Sequence, residues 1–296
     1  MKILALALLG LALILDPTLT GGEARADEAS PRQAVKNPFF AMNTIARGGP
    51  GVVVPLLKEL GYDGLGGAAG DGAMAAALEA VGLRFFNGYT TLQFKAEEPA
   101  LNDRLRTEIQ AMAGHQTTIW IAISKVEKVG VAFPKSTADG DEVVAPQLRE
   151  IADFAAPQGV KIALYPHAGS WLERVEDAMR VAGKVNRPDV GVTFNLCHWL
   201  KVEGSERDPE PVLRAALPRL MFVTINGADT GETKSMGWDR LIQPLDSGSY
   251  DVGAFLKKVR AAGYQGPVGF QGFGLKGDER EILTRTINAW RKMSGS

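Results

Sequence analysis

Val190–Leu200 reads VGVTFNLCHWL, an apolar, β-branched run from Val190 to Phe194 that stops on Asn195, Cys197 and His198. A buried strand whose last residues turn polar is how a parallel sheet or barrel presents the edge of a site. Three other segments share the pattern: KIALYPH (Lys161–His167), LMFVTINGAD (Leu220–Asp229) and PVGFQGFG (Pro267–Gly274). Each apolar run ends on Tyr, Asn or Gln, so the site is expected at these strand ends.

Outward from this stretch the chain alternates strand and helix. Strands are expected at Phe39–Asn43, Asp63–Gly67, Arg84–Tyr89, Thr117–Ser124, Lys161–Tyr165, Val190–Asn195, Met221–Asn226 and Pro267–Gln271. Helices are expected at Pro50–Leu60, Ala73–Val81, Pro99–Ala113, Val143–Ala156, Trp171–Val185, Pro211–Leu217, Val252–Ala262 and Asp278–Met293. Gly61, Gly82, Gly114, Gly159 and Gly263 stand where helices should stop. Such alternation requires parallel strands with right-handed crossovers, and eight units predict an α/β fold, a single-domain (β/α)8 TIM barrel over residues 37–296. An open doubly wound sheet ranks second, because no G-x-G-x-x-G follows any strand. The loops Lys125–Glu142 and Gly227–Asp251, behind the fourth and seventh strands, are long enough to be lids or binding loops.

The 296 residues carry a formal net charge of −1 and are 45% hydrophobic. That suits one large α/β domain and argues against a nucleic-acid partner. Met1 and Lys2 precede an apolar run, Ile3 to Leu15, ended by Asp16 and Pro17, and Ala24-Arg25-Ala26 supplies an A-x-A site. This layout predicts a signal peptide over residues 1–26 and a polar linker over 27–36. An exported protein, periplasmic or secreted, is therefore expected, with no membrane association after cleavage. Cleavage after Ala26 would leave 270 of the 296 residues, an ordinary length for this barrel. Cys197 is the only cysteine, so no intrachain disulfide can form, and the lone thiol is read as a small buried apolar residue.

Over residues 37–296 the chain resembles, in rhythm, the sugar phosphate isomerase/epimerase superfamily of xylose isomerase-like TIM barrels, which also includes apurinic endonucleases; the specific signatures lie in its second half. The resemblance rests on Tyr165-Pro166-His167 followed by Gly169, Glu173 and Glu176, on Asn195-Leu196-Cys197-His198, and on Asn226-Gly227-Ala228-Asp229. Gly248-Ser249-Tyr250-Asp251 and Gln271 complete it. Metal-dependent members hold one divalent cation (Mn, Mg or Zn) with a Glu, an Asp, a His and a Glu at four strand ends. Here Tyr165, Asn195, Asn226 and Gln271 stand at those positions: polar, and uncharged at neutral pH. Hard cations want carboxylates and zinc wants imidazole, thiolate or carboxylate, so no cofactor and no metal ligand is expected. A two-imidazole site on His167 and His198, with Asp229, is the alternative.

The resemblance implies a small-molecule sugar as partner and proton transfer next to a carbonyl, as in an isomerase, epimerase or lyase. The competing reading is a non-catalytic carbohydrate-binding barrel. The expected catalytic residues are His198, as base or hydroxyl donor, with His167 and Asp229. Tyr165, Asn195, Asn226, Gln271, Lys125 and Trp199 are the expected substrate contacts. Trp238, Tyr89 and Phe273 join Trp199 as candidates to stack on a sugar ring, whereas Trp171 is expected in the core and His115 at the far surface. Endonuclease chemistry is not expected of an exported, nearly neutral chain, and the sequence leaves the oligomeric state open.

Overall fold

Eight parallel strands close into a ring in the computed structural model, which describes residues 37–295. The expected signal peptide and linker lie outside the described residues. In chain order the elements are β1 (Phe39–Met42), α1 (Pro50–Leu60), β2 (Gly64–Ala68), α2 (Gly72–Glu79), β3 (Arg84–Lys95), α3 (Asp103–Ala111), β4 (Thr118–Lys128) and the two-residue β5 (Val131–Ala132). There follow α4 (Asp141–Ala155), β6 (Lys161–Leu164), α5 (Val175–Val185), β7 (Val190–Asn195), α6 (Leu196–Glu203) and α7 (Glu210–Ala216). The last are β8 (Leu220–Ile225), α8 (Trp238–Leu241), α9 (Val252–Ala261), β9 (Val268–Phe270) and α10 (Glu279–Ser294). Every neighbouring pair of barrel strands is parallel, β9 returns to β1, and β5 hangs antiparallel on β4 as a small hairpin. This is the expected TIM barrel. Among the described residues no helix is long and apolar enough to cross a membrane.

Two apolar layers hold it together. The layer between strands and helices takes one stripe of each helix: in α5, Val175, Ala178, Val181, Ala182 and Val185 are buried at the i, i+3, i+4 spacing of an amphipathic helix. That helix ends on Asn186 in the left-handed conformation, φ 52°, with its N–H returned to Ala182 O. The inside of the barrel is filled chiefly by aromatics, with Met42, Ala122 and Ala163 between them. Phe40 stacks on Phe86 with ring centroids 4.6 Å apart, and Trp120 meets Phe222 edge-on at 5.0 Å. Glycines on neighbouring strands make the room: a Cβ at Gly269 would fall 2.6 Å from the Phe40 ring.

Three local departures from expectation matter for the site. β3 and β4 run on to Lys95 and Lys128, past the expected ends at Tyr89 and Ser124, so the start of the first long loop is a paired extension. The residues after β6 turn through 166–174 before α5 begins at Val175, where a helix from Trp171 was expected; Trp171 is buried. And α6 starts directly at Leu196 with no loop after β7, so His198 sits in the first turn of a helix and not on a strand end.

Candidate active site

A cavity of about 340 Å³ opens at the ends of β1, β6 and β9, beside the middle of β3, a size suited to a small ligand. Its polar wall is made by Asn43, Thr44, Tyr165, His167, His198 and Gln271, and its apolar wall chiefly by Tyr89, Trp238, Ile242 and Phe273. No Asp, Glu, Lys or Arg lines it.

His167 follows β6 in a tight turn closed by His167 N–H to Leu172 O (3.0 Å) and Ser170 N–H to His167 O (3.0 Å). Gly169 allows this reversal with φ +87°. The turn carries His167 up to the first turn of α6, where its ring centroid is 4.2 Å from that of His198. The residue between, Ala168, bonds both: its carbonyl accepts from His167 Nδ1 at 3.0 Å, and its N–H donates to His198 Nδ1 at 3.3 Å. Trp238 lies edge-on to His198 at 5.4 Å and Tyr165 does the same at 5.5 Å. Burial drives the His198 imidazole well below its ordinary pKa, with His167 beside it adding to the shift; burial lowers His167 as well. Burial also pushes the Tyr165 hydroxyl well up, so it stays a neutral donor.

Gln271 is oriented from two sides. Its Oε1 accepts from Thr44 Oγ1 (2.8 Å) and from Phe273 N–H (3.1 Å), which turns the amide NH₂ toward Tyr165 and the cavity. Met42, Asn43, Thr44 and Ile242 were not singled out in the sequence. For Asn43 and Thr44 the signal was there, since FFAMNT ends an apolar strand on polar residues like the others.

Of the expected site residues, then, the cavity brings together His167, His198, Tyr165 and Gln271, with Tyr89, Trp238 and Phe273 as its rings. The others lie elsewhere, each for a visible reason. Asn195 spends its amide on Pro166 O (3.3 Å) and Thr193 Oγ1 (2.9 Å) and accepts from Thr224 Oγ1 (3.1 Å), lacing β6, β7 and β8 together. Asn226 is fully buried and donates to Gly227 O (2.9 Å) and Leu241 O (2.6 Å). Asp229 clamps its own loop through Arg240 (2.8 Å), which holds its carboxyl below the usual carboxylate range. Lys125 is on the β4 extension, paired with Glu127 at 2.5 Å. Trp199 is buried in the core away from the cavity, tilted on Phe194 at 5.2 Å with the Arg207 guanidinium over its ring at 4.9 Å. Cys197 is fully buried, its thiol pushed up to about 12 by that burial, which suits packing and not nucleophilic attack. His115 pairs with Glu79 at 2.9 Å, away from the cavity.

The histidines tie stability to pH. The fold keeps His198 neutral, whereas the unfolded chain protonates it near pH 6.5, so below that pH the unfolded state binds more protons. Stability is therefore complete above about pH 6.5 and falls as the pH drops, by up to about 1.4 kcal/mol per pH unit for this one group. Denaturant midpoints between about pH 7.5 and about pH 5 should fall steeply for the native chain and less for His198→Gln; equal slopes would refute the assignment.

A profile of the family described as xylose isomerase-like TIM barrel matches residues 55–293. Over 135 residues, 44% of this chain, the sequence is 26% identical to 3-dehydroshikimate dehydratase of Pseudomonas aeruginosa, of which the match covers 20%. The chain thus spans about a fifth of the length of that relative. Among solved structures, IolI protein with a bound zinc atom superposes with a TM-score of 0.71 at 15% identity, covering 87% of this chain and 98% of that one. The apo 3-keto-D-glucoside 4-epimerase YcjR of E. coli gives 0.66 at 20% identity, covering 87% and 99%. At these identities the likeness is one of fold. The divalent cation bound by metal-dependent relatives does not suit the donors present here: among the described residues no three His, Cys, Asp or Glu side chains cluster to hold an ion, and the strand-end positions offer only neutral oxygens, of which Asn195 Oδ1 already accepts from Thr224 Oγ1 and Gln271 Oε1 from Thr44 Oγ1. The closed ring, the cavity at its strand ends and a profile match over most of the chain agree, and the chain belongs to the xylose isomerase-like TIM barrel family.

Proposed function

We propose that this cavity binds a keto-sugar and moves a proton at the carbon next to its carbonyl, as an isomerase, epimerase or lyase does. The observation that carries this reading is the pair of neutral imidazoles, His167 and His198, 4.2 Å apart on the wall of a cavity with no charged lining. Proton abstraction beside a carbonyl needs a base and a donor for the oxygen that becomes negative. An imidazole with a lowered pKa is unprotonated at neutral pH and can be the base. The Tyr165 hydroxyl and the Gln271 amide supply donors, and Tyr89, Trp238 and Phe273 supply ring faces for the C–H face of a sugar. The dehydratase and epimerase names of similar proteins support a polyol carbonyl compound as substrate, at the level of family.

One feature favours binding without turnover: the cavity holds no carboxylate, the group that most often does this chemistry in the superfamily. Solvent deuterium separates the two readings. Ketoses and keto-glycosides incubated with the protein in heavy water should exchange the proton next to the carbonyl, read by proton NMR. The double variant His167→Ala, His198→Ala should slow exchange by a factor of at least about 10³. Sugar binding without exchange by the native protein would establish the non-catalytic reading, and neither binding nor exchange would defeat both. Export belongs to the same proposal, supported by the residues Met1 to Ala26. Protein recovered from outside the cytoplasm should begin at Asp27; a mature chain that retains Met1 would refute it.

A further inference from the structure

We infer that the backbone N–H and C=O of Ala168 lock His167 and His198 into opposite tautomers, so that His167 presents a bare, basic Nε2 and His198 an Nε2–H donor. The argument is one of donors and acceptors. Ala168 O can only accept, so His167 Nδ1, 3.0 Å away, carries the hydrogen. Ala168 N–H can only donate, so His198 Nδ1, 3.3 Å away, is bare. A neutral imidazole has one N–H, which leaves the two Nε2 atoms with opposite characters. Both rings line the cavity, and their Nε2 atoms are the nitrogens left for a ligand. Burial keeps both rings neutral, so the assignment holds at physiological pH. Here the backbone of one residue orients both rings, and in opposite senses.

The inference deepens the keto-sugar reading and rests on it for its chemistry. His167 Nε2 takes the proton from the carbon next to the carbonyl. The pair of the broken C–H bond forms the new C=C bond, the carbonyl π pair moves onto oxygen, and the His198 Nε2–H donates a hydrogen bond to that oxygen. Return of the proton from the His167 imidazolium completes the exchange, with no oxidant or reductant consumed. Of the two roles the sequence left to His198, base or hydroxyl donor, this gives it the donor's and makes His167 the base.

Nitrogen–proton NMR of protein labelled with heavy nitrogen in histidine tests the tautomers directly, on the ligand-free chain. There are three histidines, so His115→Gln leaves only the two of interest. Hydrogen on His167 Nδ1 and on His198 Nε2 is the expected result; any other placement overturns the inference. The roles are tested by exchange kinetics. A glutamine amide can replace an Nε2–H donor but not a base, so His167→Gln should slow exchange about 10³-fold and His198→Gln about tenfold or less. Equal losses, or the reverse order, overturn the division of roles. If native protein exchanges no sugar, the keto-sugar reading fails, while the tautomer spectrum still decides the inference by itself.

Discussion

Gly227→Ala is expected to cost about 3 kcal/mol of folding stability and to weaken binding of the proposed keto-sugar at least about tenfold. Gly227 follows β8 and doubles the chain back on itself: its N–H donates to Gln243 O at 3.0 Å, and Gln243 N–H donates to Gly227 O at 2.8 Å. The Asn226 amide bonds Gly227 O and Leu241 O from beneath, so the crossing is fastened on both sides. A Cβ at position 227 would lie 2.1 Å from Pro244 O and 2.4 Å from Ser247 O. Those are backbone atoms and cannot rotate away as a flexible side chain would, so the two segments must part. The segment that moves carries α8, and with it Trp238 and Ile242, which form one wall of the cavity. Urea denaturation and calorimetric titration with the sugar identified by the exchange assay would check both effects. A variant within about 1 kcal/mol of the native chain, with unchanged affinity, would show that this crossing does not position the wall.

The same loop shows how far the sequence could be read. Strand and helix rhythm was legible because apolar runs of strand length alternated with amphipathic segments and glycine stops. Strand ends turning polar located the face that carries the cavity. What the rhythm could not carry was the direction of each polar side chain. Asn195 and Asn226 sit at strand ends as Tyr165 and Gln271 do, yet Asn195 bonds Pro166 O and Asn226 bonds Leu241 O, carbonyls supplied by other segments. Asp229 was captured in the same way by Arg240, eleven residues along the chain. Gln271 escaped because Thr44 and Phe273 satisfy its oxygen alone, which leaves the NH₂ to face the cavity.

The α6 helix was missed for a different reason. Asn195 is its N-cap residue but makes no side-chain capping bond, so the usual start signal carries no weight there. Without a loop between β7 and α6, His198 is lifted by a helical turn toward Trp238 and the end of β6. That step is what brings it against His167. The extensions of β3 and β4 were readable in principle: Leu92 and Phe94 are buried while Thr91 and Gln93 are exposed, the period-two alternation of a strand.

Trp120→Ala should be the most destabilising single change in the barrel interior, at about 3–5 kcal/mol. The side chain is fully buried, edge-on to Phe222 at 5.0 Å and stacked on Tyr165 at 5.4 Å. Its neighbours stand on strands hydrogen-bonded around a closed ring, so they can collapse little into the space left, which favours the upper part of that range. Trp120→Phe is the informative comparison. The indole Nε1–H finds no acceptor among the described residues, so a phenyl ring removes a buried, unpaired donor and keeps most of the contact. That variant should lose less than about 1.5 kcal/mol. Trp120 does not line the cavity, yet Tyr165 does, and Tyr165 rests on the Trp120 ring. Affinity for the proposed keto-sugar should therefore fall with Trp120→Ala and persist with Trp120→Phe, a pattern that ties the aromatic filling of the barrel to the site above it. Denaturation and binding measured on both variants would show it; equal stability losses for Ala and Phe would mean the indole hydrogen is satisfied and the interior is packed otherwise than described.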